Sequence, residues 1–474
     1  MIMKTIKFIC LLSFGVIALA LLSIPISIVE TPSDLLKVDN SMPLLLDNVN
    51  VVDVKTGRIL ENSQLRIADG VISSIEPAGT LAGQEFKRID LEGAYITPGL
   101  FDMHVHIHDR KYLALNLSKG VTSVRNMRGL PMHLRWKQEL KDDRWLGSNL
   151  YTSSPVLDGE KYAHALQQVV TSPEEARELV KNYQRAGFDL IKVYGYLDAR
   201  VFEAIVDEAK KLSMPVAKHG PNPVAGLALE SNRGLQSLEH VEDIFQGPLN
   251  YKFDREALVQ WIGQFKEIEV AVTPTLATFD HLTRLSEQKM EFVESLPLNT
   301  LNPLYKMING EFEVSRWLAA NEKQIQWNKK EAAFLLEIVK ELDDQGIKLL
   351  VGSDAGTLYM PPGLSTHREM ALMLKAGLSP LTVLRAGTIN AAESLAIDQR
   401  FGSIEVGKVA DLVVVTHNPL DDLATLSQPE AVIKAGQWIS ASDLVALRKS
   451  AENPSSFYIS LGRLLEDLLT RAWQ

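Results

Sequence analysis

Ile96-Thr97-Pro98-Gly99-Leu100-Phe101-Asp102-Met103-His104-Val105-His106 is the stretch on which the fold reading turns. Residues two apart in a strand share a face, so His104 and His106 point one way while Met103 and Val105 point the other. Upstream, from Pro43 to Pro98, short β segments (Leu44-Leu46, Val49-Val52, Gln64-Ile67, Val71-Ile75, Arg88-Asp90) are punctuated by Gly57, Gly70, Gly79, Gly83 and Gly93. Downstream, from Gly99 to Leu395, apolar strands alternate with amphipathic helices such as Pro173-Gly187, Ala199-Leu212 and Glu331-Gln345. That is the rhythm of β/α units on a parallel sheet, and about 300 residues of it suit an eight-stranded barrel. Beyond it, Gly402-Ser403-Ile404, Ala410 to Val415 and Ala431 to Gly436 return to β character, so the two β pieces can pair into one domain.

The expected organisation is therefore a leader or anchor at 1–30, β segments at 43–98, a barrel at 99–395, β segments at 396–440 and a helical extension at 441–474. Within the barrel, residues 279–330 are long, charged and aromatic, with Tyr305, Trp317 and Trp327, and read as a helical insertion near the mouth between the seventh and eighth strands. In the extension, Leu461, Leu464, Leu465, Leu468 and Leu469 mark an amphipathic helix.

With 46% hydrophobic and 23% charged residues in 474, the chain is globular, which excludes disordered and collagen-like classes. Forty-nine basic against 59 acidic side chains give a net charge of −10, and without a basic run this excludes a nucleic-acid surface. Cys10 is the single cysteine, so disulfide frameworks, cysteine-held zinc and thiol nucleophiles are all excluded. A metal would have to be held by His, Asp or Glu.

Lys4 and Lys7 precede an uncharged apolar run from Phe8 to Val29. This is the pattern of a secretory signal peptide, with a cleavage option at Ala18-Leu19-Ala20, or of an uncleaved membrane anchor. The expectation is export, periplasmic or extracellular, or anchoring by residues 8–29, with membrane contact only through this segment.

Further ionisable residues fall at predicted strand ends. Leu190 to Tyr194 turns Lys192 and Tyr194 to one face and Ile191 and Val193 to the other; Pro215 to His219, Leu235 to His240 and Ile347 to Asp354 each end in a potential ligand. Taken singly, His219 or His240 reads equally as a hydrogen-bonded core histidine, Asp354 as a helix cap, Lys192 as a lysine reaching water, and His104 and His106 as a surface pair. Taken together, they lie at the C-terminal strand ends, which converge on one mouth of a β/α barrel.

With those residues in view, the sequence resembles the metal-dependent amidohydrolase superfamily, in its imidazolonepropionase-like branch, which also holds Xaa-Pro and Xaa-Arg dipeptidases. The resemblance spans Leu44 to Gly436 and rests on Thr97 to His106, Gly120 to Arg125, Ile191-Lys192, Lys218-His219, Glu239-His240, Gly352-Ser353-Asp354 and Gly407 to Leu412. It implies an α/β fold: a distorted (β/α)8 TIM-like barrel beside a composite β-sandwich built from both chain ends. It also implies two divalent ions, with Zn2+ the best match to His and oxygen donors. His104 and His106 would hold one ion, His219 and His240 the other, with Lys192 carbamylated between them. Asp354 would be both ligand and proton acceptor as a metal-bridged hydroxide attacks. One departure is Arg125-Asn126, where relatives often have Arg-Asp.

The activity implied is hydrolysis of a carbon–nitrogen bond in a small molecule: a dipeptide, an N-acyl amino acid or a cyclic amide. An esterase, lactonase or phosphotriesterase on the same centre, or a catalytically silent metal-binding barrel, are the alternatives. Tyr194 and His164 are candidate substrate contacts, with His108 and His367 weaker ones. A homo-oligomer is left open.

Overall fold

The computed structural model describes residues 18–30, 42–80, 85–161, 163, 166–220 and 228–472. Seven parallel strands form one curved sheet in the order Leu100–Val105, Val121–Asn126, Asn149–Asp158, Leu190–Val193, Val216–His219, Ser237–Glu239 and Ala271–Thr273. Residues 348–355 close it, because they bond to both edges. On one side the Met103 amide donates to Val351 O at 2.7 Å and the Asp354 amide to His104 O at 2.7 Å; on the other the Leu350 amide donates to Val272 O at 2.9 Å. This closing segment was expected as a continuous strand, yet it makes only isolated bridges, Val272 to Leu349 and Val105 to Ala355. Gly352 explains part of this: a Cβ there would run into the Thr273 side chain and lie 2.9 Å from His104 Cβ, so the segment passes too close for any side chain.

The helices follow the sequence pattern and have identifiable ends. Pro173–Ala186 starts with Pro after Ser172, whose side chain accepts the Glu175 amide, and stops at Gly187 in the left-handed region. Glu322–Asp344 begins nine residues before the expected Glu331, because Asn321 and Gln324 form a reciprocal cap there. Between the seventh strand and the closing segment lie Leu276–Glu294, Pro303–Asn309, a π turn at Gly310–Val314, Ser315–Leu318 and that long helix.

The chain ends meet in a second, mixed sheet. Leu412–Val415 runs antiparallel to Tyr95–Pro98, which lies parallel to Leu44–Val52, and Ala431–Lys434 with Gln437–Ser440 extend the sheet on one side. Leu44, Leu46, Val49, Val51, Ile96, Leu412, Val414 and Ile433 are buried together, giving this sheet an apolar core of its own. The fold class is thus the α/β barrel plus mixed-sheet arrangement expected from the sequence. The two segments expected at 44–46 and 49–52 are one strand carrying a bulge, with Asn48 at φ 49°.

The expectation of a membrane anchor at 8–29 is overturned. Among the described residues no helix is long and apolar enough to cross a membrane. Residues 18–29, the described part of that segment, form a helix. It lies instead against Phe457–Ala472. Ser23 and Ser27 are buried, Tyr458 donates to Leu19 O at 2.6 Å, and Glu30 pairs with Arg110 at 2.6 Å and Arg463 at 2.7 Å. Residues 8–17 lie outside the described residues.

Candidate functional site

Strand alternation places His104 and His106 inside the barrel, and Asp102 anchors the strand that carries them. Its buried carboxylate accepts the Ser353 amide at 2.9 Å, the Ser353 hydroxyl at 2.6 Å and the Thr366 hydroxyl at 2.6 Å, tying the first strand to the closing segment. Burial pushes its pKa up to about 6 against those hydrogen bonds. The result is that Asp354 arrives beside both histidines: Oδ1 lies 3.0 Å from His106 Nε2 and 3.6 Å from His104 Nε2. Donor atoms of His104, His106 and Asp354 all fall within 4.8 Å of one another.

The other histidines stand next to this group. The His104 and His240 ring centroids are 4.6 Å apart, and those of His240 and His219 are 4.4 Å apart. His240 and Asp354 both hold left-handed backbone, φ 67° and 59°. Thr275 gives its hydroxyl proton to Pro274 O, so its oxygen, 2.7 Å from His240 Nδ1, accepts from that nitrogen and leaves Nε2 with a free lone pair.

Lys192 lies within the same cluster, 1% exposed, and its Nζ has no hydrogen-bond partner among the described residues. Burial lowers its pKa to about 8, although Glu239, Asp243 and Asp354 all pull upward. Asp354 is held well below the usual carboxylate range: burial opposes this, but the three facing histidines outweigh it. A buried amine, four imidazoles and the Asp354 carboxylate gathered in one place are the donor types that hold a divalent cation. These residues fit a divalent metal site.

Glu239 was seen in the sequence only as the neighbour of His240. Its carboxylate takes Arg125 Nη2 at 2.8 Å and lies 2.8 Å from His104 Nδ1. Burial raises its pKa, but the Arg125 charge and the His104 contact hold it well below the ordinary value, so it accepts the Nδ1 proton and leaves His104 Nε2 free toward Asp354. Arg125 crosses the barrel floor, bonding Met103 O at 2.6 Å and Gln236 Oε1 at 2.8 Å. Asn126 accepts the Ile107 amide at 2.9 Å and donates to Arg128 O at 2.8 Å, a donation that an ionised Asp could not make.

A cavity of about 120 Å³ opens beside the cluster, lined by His219, His240, Glu242, Thr278, Phe279 and Asp354 among others. Tyr194 stacks on His219 at 4.4 Å, on the mouth side of Lys192. His164 lies outside the described residues. His108 is buried and stacked on Tyr305 at 3.7 Å, while His367 donates to Lys119 O at 2.8 Å, away from the cluster. Trp327, from the insertion, is 42% exposed and packs edge-on to Phe253.

The model of the amidohydrolase family matches residues 95–439. The chain belongs to the amidohydrolase family. This amidohydrolase is 24% identical over 435 residues to imidazolonepropionase of Pseudomonas putida, covering 84% of this chain and all of that protein. Among solved structures it is similar to bottromycin amidohydrolase, with TM-score 0.72, 24% identity and coverage of 87% of this chain and 91% of that one. It is also similar to a Xaa-Pro dipeptidase, with TM-score 0.66, 19% identity and coverage of 84% of this chain and all of that one. At these identities the structural likenesses establish the shared barrel fold. The family establishes a hydrolase of small molecules, in the branch expected from the sequence.

Proposed function

We propose that this amidohydrolase hydrolyses the carbon–nitrogen bond of a dipeptide, N-acyl amino acid or cyclic amide at a site for two divalent metal ions, with Zn2+ the best match. The observation that carries the reading is the convergence of His104, His106 and Asp354 donor atoms within 4.8 Å, beside an unpartnered buried Lys192 amine. His104 and His106 would hold one ion and His219 and His240 the other. Lys192, as a carbamate, would supply an anionic oxygen to each in place of an ammonium that repels both. Bound there, such ions polarise the scissile carbonyl and lower the pKa of a water.

The chain's own residues do the rest. Asp354 Oδ1, beside His106 and His104, accepts the proton of the attacking water and passes it to the leaving nitrogen. Glu239 and Thr275 fix the rings of His104 and His240 so that neither must reorganise during the reaction. Tyr194, stacked on His219, limits one side of the mouth and presents its hydroxyl to substrate. The outward-bound charge pattern of Lys4, Lys7 and the apolar run after them supports export, which fractionation of the native host tests directly.

The test of the chemistry is Asp354→Asn in the metal-loaded enzyme, assayed on matched amide and ester panels. Amide turnover should fall by about 10²- to 10⁴-fold. Undiminished turnover, or wild-type activity confined to esters, contradicts the proposal.

A further inference from the structure

Three of the four clustered histidines have one ring nitrogen turned to a partner behind them. His104 Nδ1 lies 2.8 Å from Glu239, and His240 Nδ1 lies 2.7 Å from Thr275. His219 is turned the other way round: its Nε2 lies 3.4 Å from Asp243 Oδ2. Asp243 is 5% exposed, and that oxygen accepts no hydrogen bond among the described residues. What it meets at ion-pair distance is the His219 ring.

The backbone is arranged so that Asp243 can stand there. Gly220 follows His219, and a Cβ at that position would run into the Asp243 side chain, so only glycine leaves the carboxylate room beside the ring. Lys218 is buried, and its Nζ donates to His219 O at 3.3 Å and to Gly220 O, which pins the turn after the strand. Gly220 N donates across to Glu239 O at 3.1 Å. Asp243 itself lies in the first turn of the short helix Glu242–Gln246, where its amide donates to His240 O at 3.1 Å. Parallel pairing sets His219 opposite Glu239, and the five residues from Glu239 to Asp243 then serve three rings: Glu239 reaches His104, His240 is itself a candidate ligand, and Asp243 turns back to His219.

A neutral imidazole carries its proton on one nitrogen and a lone pair on the other, and the group that takes the proton decides which is which. Tyr194 stacks on the face of the His219 ring at 4.4 Å, and Asp243 stands at its Nε2 edge. We infer that Asp243 is a positioning residue for His219: it accepts the Nε2 proton and so assigns Nδ1 to the second ion. The inference rests on the proposed two-ion site and names the residue that sets one half of it. His219 and His240 thereby offer opposite nitrogens, Nδ1 from one and Nε2 from the other.

The test loads the full-length protein stepwise with Zn2+ in competition with a chromophoric chelator, which reads one constant for each ion. The constant abolished in His219→Ala belongs to the second ion. In Asp243→Leu that ion should bind about 10- to 100-fold more weakly while the other stays within about threefold, and Asp243→Asn, which keeps an acceptor oxygen, should recover part of the loss. In the Zn2+-loaded wild type, long-range proton–nitrogen NMR couplings should place the His219 ring proton on Nε2. Unchanged constants in Asp243→Leu, equal weakening of both ions, or a His219 proton on Nδ1 overturns the role of Asp243 and leaves the hydrolase reading standing. Uptake of one ion or none by wild type overturns the two-ion reading and the role of Asp243 with it.

Discussion

Glu239 Oε2 lies 2.8 Å from His104 Nδ1, although 135 residues separate the two in the chain. The same carboxylate receives Arg125, so one buried anion both orients a candidate metal ligand and neutralises the barrel-floor guanidinium. Glu239→Gln should weaken metal binding by about 10- to 100-fold, read by competition with a chelator. It should also lower the unfolding midpoint, because Arg125 loses its counter-ion in a site 0% exposed. Metal affinity equal to wild type would remove Glu239 from the positioning role.

The helix at 18–29 gives a second prediction. A Cβ on Gly462 would run into the Ser23 carbonyl, so Gly462→Val should unseat that helix at a cost of about 1–3 kcal/mol. Thermal unfolding and limited proteolysis both read this. A midpoint unchanged from wild type would mean that the two helices do not pack.

A third prediction concerns Glu369, which is 0% exposed, accepts the Ala277 amide at 2.6 Å and leaves Oε1 unpartnered. Burial pushes its pKa from 4.5 up to about 8 against that hydrogen bond. A folded-state pKa above the unfolded one means a contribution that is full below pH 4.5 and lost as pH rises through about 8. Glu369→Gln, neutral throughout, should therefore gain stability over wild type as pH rises across that window, on the order of 1–3 kcal/mol by pH 8. Denaturant melts at pH 5, 6.5 and 8 check it: parallel curves for the two proteins would show that Glu369 does not titrate in this range.

What the sequence made legible was whatever obeys a short period. His104 and His106 share a face because strands alternate, the same alternation turned Lys192 inward, and His219, His240 and Asp354 could be placed because each ends an apolar strand pattern. The structure brings these six together. Contacts set by tertiary packing left no such trace. The partnership of Glu239 with His104, the Arg125 brace and the stack of Tyr305 on His108 each join residues from different elements. The anchor reading of the N-terminal segment failed for a related reason: apolarity alone describes a spanning helix and a helix packed on a partner equally well. Here the deciding features are the buried Ser23 and Ser27 and the Glu30 ion pairs.

The most direct test of the central claim is metal stoichiometry by elemental analysis of the full-length chain, with Glu30 and its helix retained, beside Lys192→Ala. The proposed site predicts about two divalent ions per chain in wild type, as in bridged two-metal centres, and a sharp fall in the variant. One ion or none, unaffected by loss of the Lys192 amine, would contradict it.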